Sequence, residues 1–155
     1  MFHGHLVAIC VADAKGVELR TVNEIEAVAG RGLVGDRYFQ QAGTFSKPGA
    51  PDREVTLIEG EALEAIAREN QITLEPRKTR RNLVTRDVPL NHLVGRDFVV
   101  GEVLLRGLRL CEPCDHLQKL TVAGVKDGLH HRGGLRAQIL RGGQLRTGDA
   151  ICPST

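Results

Sequence analysis

Short apolar runs, separated by glycine and polar residues, recur along almost the whole chain. Runs of this length, some continuous and some alternating with polar residues, are typical of β-strands. Many short strands with few helices favour a mainly β fold, and we expect a barrel of mostly antiparallel strands. The pattern predicts strands at residues 6–12, 17–22, 55–58, 81–85, 98–100, 103–111, 135–140 and 150–152.

One segment has a helical pattern instead. In residues 60–70, Leu63, Ile66 and Ala67 fall at i, i+3 and i+4, and Ala, Leu and Glu favour helix. A second short helix is predicted at residues 115–120, directly after the last residue of a Cys-Glu-Pro-Cys segment. Residues 39–53 contain few large apolar side chains and are predicted to form a surface loop. The sequence therefore predicts one or two short helices beside the barrel.

Length and composition indicate one globular domain. The chain has 155 residues, of which 41% are hydrophobic and 26% are charged, so we expect residues 1–155 to fold as a single domain. No apolar run approaches the roughly 18 residues of a membrane-spanning helix. The N-terminus also lacks the basic and long apolar regions of a secretory signal, and we expect a cytoplasmic protein.

The charge balance argues against nucleic acid and membranes as partners. There are 21 basic and 19 acidic residues, and aromatic residues make up only 3% of the chain, which disfavours platforms for base stacking. The basic residues are nevertheless clustered, most densely at residues 77–81. Such a run forms either a solvated surface or a pocket that binds phosphate.

The four cysteines include one pair with possible chemistry. Cys10 lies in an apolar run and is expected to be a buried, inert side chain, whereas Cys111 and Cys114 belong to the segment Cys-Glu-Pro-Cys-Asp-His. This segment suits a zinc site, for which His130 or His131 would have to supply a further ligand. It also suits a redox dithiol, or a single reactive thiolate at Cys114, where backbone N–H groups at a helix start would stabilise the charge. Two packed thiols without a function are the fourth interpretation.

Two further segments could hold an anion. Gly35 permits a tight turn beside Asp36 and Arg37, and this Gly-Asp-Arg sequence is more often a plain turn with an ion pair. Arg80 and Asn82 alternate along a strand-like stretch and would share a face. An arginine offers a bidentate fork and an asparagine a neutral donor, so together they could bind a phosphate.

The order of these motifs resembles the MOSC domain, the C-terminal domain type of molybdenum cofactor sulfurases. The resemblance covers about residues 6–151 and rests on five segments in order: Gly-Leu-Val-Gly-Asp-Arg, Arg-Arg-Asn-Leu-Val-Thr, Leu-Asn-x-Leu-Val-Gly-x-x-Phe-x-x-Gly-Glu-Val, Cys-Glu-Pro-Cys-x-His-Leu and Arg-Gly-Gly-Leu-Arg-Ala. It implies a closed β-barrel that binds the molybdenum cofactor, molybdopterin. It also implies that Cys114 is the key thiol and metal ligand, and that Arg37, Arg80 and Asn82 hold the pterin and its phosphate.

The same resemblance implies three functions. In relatives that reduce N-hydroxylated compounds, the thiolate matching Cys114 ligates molybdenum, and we expect this oxidoreductase activity. The first alternative is a sulfur carrier with a persulfide on Cys114. The second alternative is a non-catalytic module that binds and delivers the cofactor. The sequence contains neither a pyridoxal-phosphate domain nor a ferredoxin domain, so we expect a separate electron-donor protein, or a cysteine desulfurase as sulfur donor.

Overall fold

The computed structural model describes residues 1–39 and 50–154 of the chain. Most of the described residues with regular structure are in strands, and the helices are few and short. The strands are β1 (Gly4–Val11), β2 (Arg20–Val22), β3 (Glu24–Val28), β4 (Gly32–Leu33), β5 (Val55–Glu59), β6 (Leu83–Arg86), β7 (Asp97–Val100), β8 (Val103–Leu110), β9 (Leu135–Arg141), β10 (Gly143–Arg146) and β11 (Ala150–Pro153). The helices are α1 (Gly60–Asn70), α2 (Asp115–Leu120) and α3 (Val125–Gly128).

Seven strands close into a barrel in the order β11-β7-β8-β9-β5-β6-β1. The barrel closes because the first residues of β1 pair with β11, with Gly4 opposite Ile151. Further along, the same edge of β1 pairs with β2, which lies outside the closed ring. A separate small sheet has the order β10-β3-β4. Closure leaves few unpaired strand edges, which is how barrels avoid edge-to-edge aggregation.

One neighbouring pair in the barrel, β5 and β6, is parallel, and the other neighbours are antiparallel. Parallel neighbours need a long crossover connection, and the helix α1 supplies it. Gln71 ends this helix in the left-handed conformation, with φ of 57°, and its amide donates to the carbonyl of Ile66. The helix therefore covers the outer face of β5 and β6.

Apolar side chains fill the barrel and a second layer outside it. Inside, the core includes Leu6, Leu57 and Phe98, none of which is exposed to solvent. Outside, Ile58 and Val84 pack against the helices. Strands β5 and β6 are thus buried on both faces, which explains why their apolar runs are continuous rather than alternating.

The predicted fold class is confirmed: the chain is a mainly β barrel whose strands are mostly antiparallel. Both predicted helices form at the predicted residues, 60–70 and 115–120. The sequence pattern did not predict β3, β4, β10 or the short helix α3. Most of the predicted surface loop at residues 39–53 lies outside the described residues. Within residues 1–39 and 50–154, no helix is long and apolar enough to cross a membrane.

Candidate functional site

The two cysteines of the Cys-Glu-Pro-Cys segment have different environments. Cys111 follows the last residue of β8 and is buried, and its amide donates to the carbonyl of Gly134 over 2.7 Å. Cys114 caps the N-terminus of α2 with extended backbone angles and is exposed. Cys10 is buried as predicted, and burial raises the pKa of its thiol. Among the three, Cys114 is the thiol that a ligand or reactant can reach.

A buried arginine holds this segment in place. The Nε of Arg81 donates to the carbonyl of Gly133 over 2.8 Å, and its Nη2 donates to the carbonyl of Cys111 over 3.0 Å. Gly133 lies so close that a Cβ there would be 2.6 Å from the Cys111 carbonyl oxygen. The paired glycines therefore permit two loops to pack against each other. The segment that carries Cys114 is thus fixed at its base by β6 and by the loop before β9.

Beside Cys114 lies a basic pocket, which we call the Cys114 pocket. Its walls include four arginines, namely Arg37, Arg80, Arg81 and Arg136. Glu112 supplies the one acidic side chain among its described lining residues. The cavity volume is about 50 Å³, which has room for a few water molecules or one phosphate-sized group. A pocket with this excess of positive charge next to a reachable thiol is suited to bind an anionic ligand.

Arg37 lines the pocket but is committed to internal contacts. Its guanidinium is almost fully buried and pairs with Asp36, with Nη1 and Oδ1 separated by 3.2 Å. Its Nη2 donates to the main-chain carbonyl of Arg80 over 3.0 Å. Asp36 in turn accepts hydrogen bonds from the amides of Ala12 and Tyr38. Arg37 therefore positions Arg80, and its own charge is largely compensated.

Arg80 has more freedom to meet a ligand. Its backbone is left-handed, with φ of 61°, and its Nη1 donates to the carbonyl of Val17. Burial, together with the nearby charge of Arg37, lowers the pKa of Arg80. It also lines a second depression of about 140 Å³, where Arg77 and Lys78 are found. Arg80 thus lines both the Cys114 pocket and the neighbouring depression that contains Arg77 and Lys78.

Asn82 does not line the pocket. Its side chain is buried, donates to the carbonyl of Cys10 over 3.1 Å and accepts a hydrogen bond from the amide of Thr56 over 3.1 Å. Because Arg80 interrupts the extended backbone, the alternation that placed Arg80 and Asn82 on one face does not hold. The structure gives Asn82 a role in joining β1 to β5, and its contact with a cofactor stays a prediction.

Arg136 was missed as a site residue by sequence reasoning. It lies on β9, and its Nε is buried without a hydrogen-bond partner among the described residues. Burial alone would lower the pKa of Arg136, but Cys111, Tyr38 and Asp52 together raise it. The alternating pattern of β9 places Arg136 on the face opposite Leu135 and Ala137 and so offered a signal for its position. It could not show which strands lie beside it.

The structure also bears on the zinc interpretation of the cysteine pair. In the described part of the chain, neither Cys111 nor Cys114 belongs to a group of three potential metal-ligating side chains. The one such group consists of Glu112, His130 and His131. A structural zinc ion on the cysteine pair is therefore not supported by the arrangement of neighbouring ligands.

Fold and site together define a class: small closed-barrel proteins with a basic pocket beside one reachable thiol. The model of the MOSC domain matches residues 45–152, and the chain therefore belongs to the MOSC domain family. This family is associated with binding of the molybdenum cofactor. No curated protein matches the sequence significantly.

Solved structures share the fold at low sequence identity. The YuaD protein from Bacillus subtilis superposes with a TM-score of 0.81 at 18% identity, covering 97% of each chain. YiiM from Geobacillus stearothermophilus gives 0.76 at 13% identity, covering 98% of this chain and 75% of YiiM. YiiM from Escherichia coli gives 0.68 at 18% identity, covering 100% of this chain and 70% of YiiM. These likenesses establish the fold.

Proposed function

We propose that the protein binds the molybdenum cofactor in the Cys114 pocket and reduces N-hydroxylated compounds with electrons from a separate donor protein. The observation that carries the proposal is the combination of an exposed thiol with four arginines around one cavity. Membership of a family that is linked to the molybdenum cofactor supports the choice of this ligand. The pocket supports its two chemical requirements, a soft metal ligand and a site for phosphate.

The residues present fit the cofactor. The thiolate of Cys114 is a soft ligand of the kind that suits a metal already bound by sulfur. The orphaned Nε of Arg136 offers a buried donor, and Arg80 offers a second guanidinium in the pocket wall. The cavity of about 50 Å³ admits only one end of a pterin, and Arg80 leads from it to the second basic depression. Arg37 fixes the backbone of Arg80, and Arg81 fixes the cysteine segment, through buried hydrogen bonds.

When bound, the cofactor would supply two-electron chemistry, in which an N–OH group takes up two electrons from the donor protein and two protons and gives N–H and water. The protein's own contribution is to bind, orient and protonate. Cys114 would hold the metal end, and Arg80 with Arg136 would hold an anionic end. His116 lines the same pocket, and in this proposal it would donate the proton that the leaving hydroxyl group needs to depart as water.

The test is cofactor retention in a molybdate-fed host that makes the cofactor. The parent protein should retain about one molybdenum per chain and reduce an N-hydroxylated substrate with an artificial reductant. Cys114→Ser should lose both, whereas Cys152→Ser, at a half-buried free cysteine on β11, should keep both. Arg80→Ala should weaken retention by about 1.5–3 kcal/mol, or roughly ten- to hundredfold. Full molybdenum content in Cys114→Ser would refute the assignment of the metal ligand.

The exposure of Cys114 also favours a second candidate, a sulfur carrier. An exposed thiol on a fixed loop can accept a persulfide sulfur from a cysteine desulfurase and pass it to another protein. This function predicts a mass gain of one sulfur atom on Cys114 after incubation with the desulfurase and cysteine, without any metal. The delivery module is the third outcome: cofactor would bind and leave, and no substrate would be reduced.

A further inference from the structure

A second group of side chains with metal-binding chemistry lies at the rim of the Cys114 pocket. Glu112 comes from the Cys-Glu-Pro-Cys segment, and His130 and His131 follow helix α3. One potential ligand atom from each residue lies within 4.8 Å of the other two. All three residues are exposed, so a cation from solvent can reach them.

The carboxylate of Glu112 is oriented toward both imidazole rings. Its Oε1 accepts a hydrogen bond from the backbone amide of His131 over 3.0 Å. Its Oε2 lies 3.1 Å from Nδ1 of His131 and 4.0 Å from Nδ1 of His130. One oxygen is therefore held by the backbone while the other faces the two nitrogens. Hydrogen bonds that fix a ligand's orientation in this way are a regular feature of metal sites.

The backbone at His131 is also constrained. It adopts the left-handed conformation, with φ of 64°, which residues other than glycine visit infrequently. The side-chain amide of Asn91 donates to the His131 carbonyl over 2.7 Å. The rings of His130 and His131 are in contact, with centroids 3.7 Å apart and planes tilted by 43°. Strained backbone of this kind is concentrated at functional sites.

We propose that Glu112, His130 and His131 form a binding site for a divalent transition-metal ion, with zinc as the best match. Two imidazoles and one carboxylate are an established ligand set for zinc and leave a coordination position open. Two ligands bound to one tetrahedral zinc at about 2.1 Å lie roughly 3.4 Å apart. The 3.1 Å pair is already near this separation. The distance of 4.0 Å between Glu112 Oε2 and His130 Nδ1 must shorten by roughly 0.6 Å, and 66% exposure of the His130 side chain permits such a movement.

The location gives this site a consequence for the Cys114 pocket. Glu112 is the acidic side chain that lines the pocket, and a bound cation would neutralise it. The cation would also tie the cysteine segment to the loop before β9, two segments that already meet at Gly133. Metal binding itself does not depend on the proposed reductase function, so each can fail without the other.

The experiment is a zinc titration of chelator-stripped protein against a chromogenic chelator. It uses the Cys114→Ser background, so that zinc bound by the exposed thiol does not contribute. We expect about one zinc per chain and at least a tenfold loss of affinity in Glu112→Gln and in His131→Asn. The matched control, His3→Asn, alters another exposed histidine and should leave the affinity unchanged. Circular dichroism of each variant checks that the fold is kept.

Cobalt provides the second measurement. Cobalt(II) at this site should show visible absorption bands without the charge-transfer band that a thiolate ligand produces. If the Cys114→Ser protein without further substitutions bound no zinc, the proposal would be overturned. Unchanged affinity in both Glu112→Gln and His131→Asn would overturn it too, as would an equal loss in His3→Asn. A thiolate charge-transfer band in the cobalt spectrum would show that the metal binds another cysteine. That outcome would also overturn the proposal.

Discussion

Removing the guanidinium of Arg81 should loosen the segment that carries Cys114. In the Arg81→Met variant, the carbonyls of Gly133 and Cys111 lose their charged donor while the apolar part of the side chain is kept. Arg81 is buried, so water cannot easily replace the lost hydrogen bonds. Arg81 also lines the pocket, but the variant leaves in place Cys114, Arg80 and Arg136, the residues that we assign to direct contact with the cofactor.

The expected loss of stability follows from the two short contacts, at 2.8 and 3.0 Å. Hydrogen bonds to charged groups contribute about 1.5–3 kcal/mol each, and the variant loses two of them. The variant also avoids the desolvation cost of burying the guanidinium, which offsets part of this loss. A third contact, from Nη1 to the Thr79 carbonyl, is 3.5 Å long and adds little. We expect Arg81→Met to lower the free energy of unfolding by about 2–4 kcal/mol. Arg81→Lys can reach one carbonyl and should lose about half as much.

The assay is urea unfolding followed by circular dichroism, with hydrogen exchange of the Cys111 amide as the local measurement. That amide donates to Gly134 and should lose protection in Arg81→Met more than the amides of β7 do. Arg96→Met, at an exposed arginine, is the matched control and should change stability by less than about 0.5 kcal/mol. If Arg81→Met were as stable as this control, Arg81 would not anchor the segment and the argument would be wrong.

Two further predictions concern buried polar side chains. Asn82→Ala removes the side chain that bridges Cys10 and Thr56, and it should lower the free energy of unfolding in urea by about 2–4 kcal/mol. If the role of Asn82 is structural alone, the folded variant should still retain the cofactor. Burial raises the pKa of Glu54 above its usual 4.5 despite hydrogen bonds from the amides of Ile139 and Gly30. A raised pKa in the folded state favours the protonated acid. The stability advantage of the parent over Glu54→Gln is therefore full below pH 4.5 and shrinks as pH rises through the folded pKa, as unfolding at several pH values should show.

Local patterns were sufficient for the strands and helices with strong periodicity. The helix at residues 60–70 and the strands of the barrel have the alternation or continuous apolar runs that burial demands. The missed strands are short or exposed: β4 has two residues, and in β10 one residue of four is buried. Strand β4 pairs locally with β3, but β10 pairs with β3 across more than 100 residues, with Leu145 opposite Ile25, and no local pattern contains that information.

The site shows the same division between local chemistry and three-dimensional arrangement. The motif around Cys114 indicated a reachable thiol before a helix, and local rules were enough for that because Pro113 cannot continue a strand and a helix-forming segment follows Cys114. The residues predicted to bind phosphate were harder to place, because the left-handed backbone of Arg80 breaks the alternation that put Arg80 and Asn82 on one face. Arg136, 54 residues after Asn82 in sequence, instead presents a buried donor at the pocket. Since a strand's neighbours decide which arginines line the pocket, the topology rather than the motif determines which cations share it with Cys114.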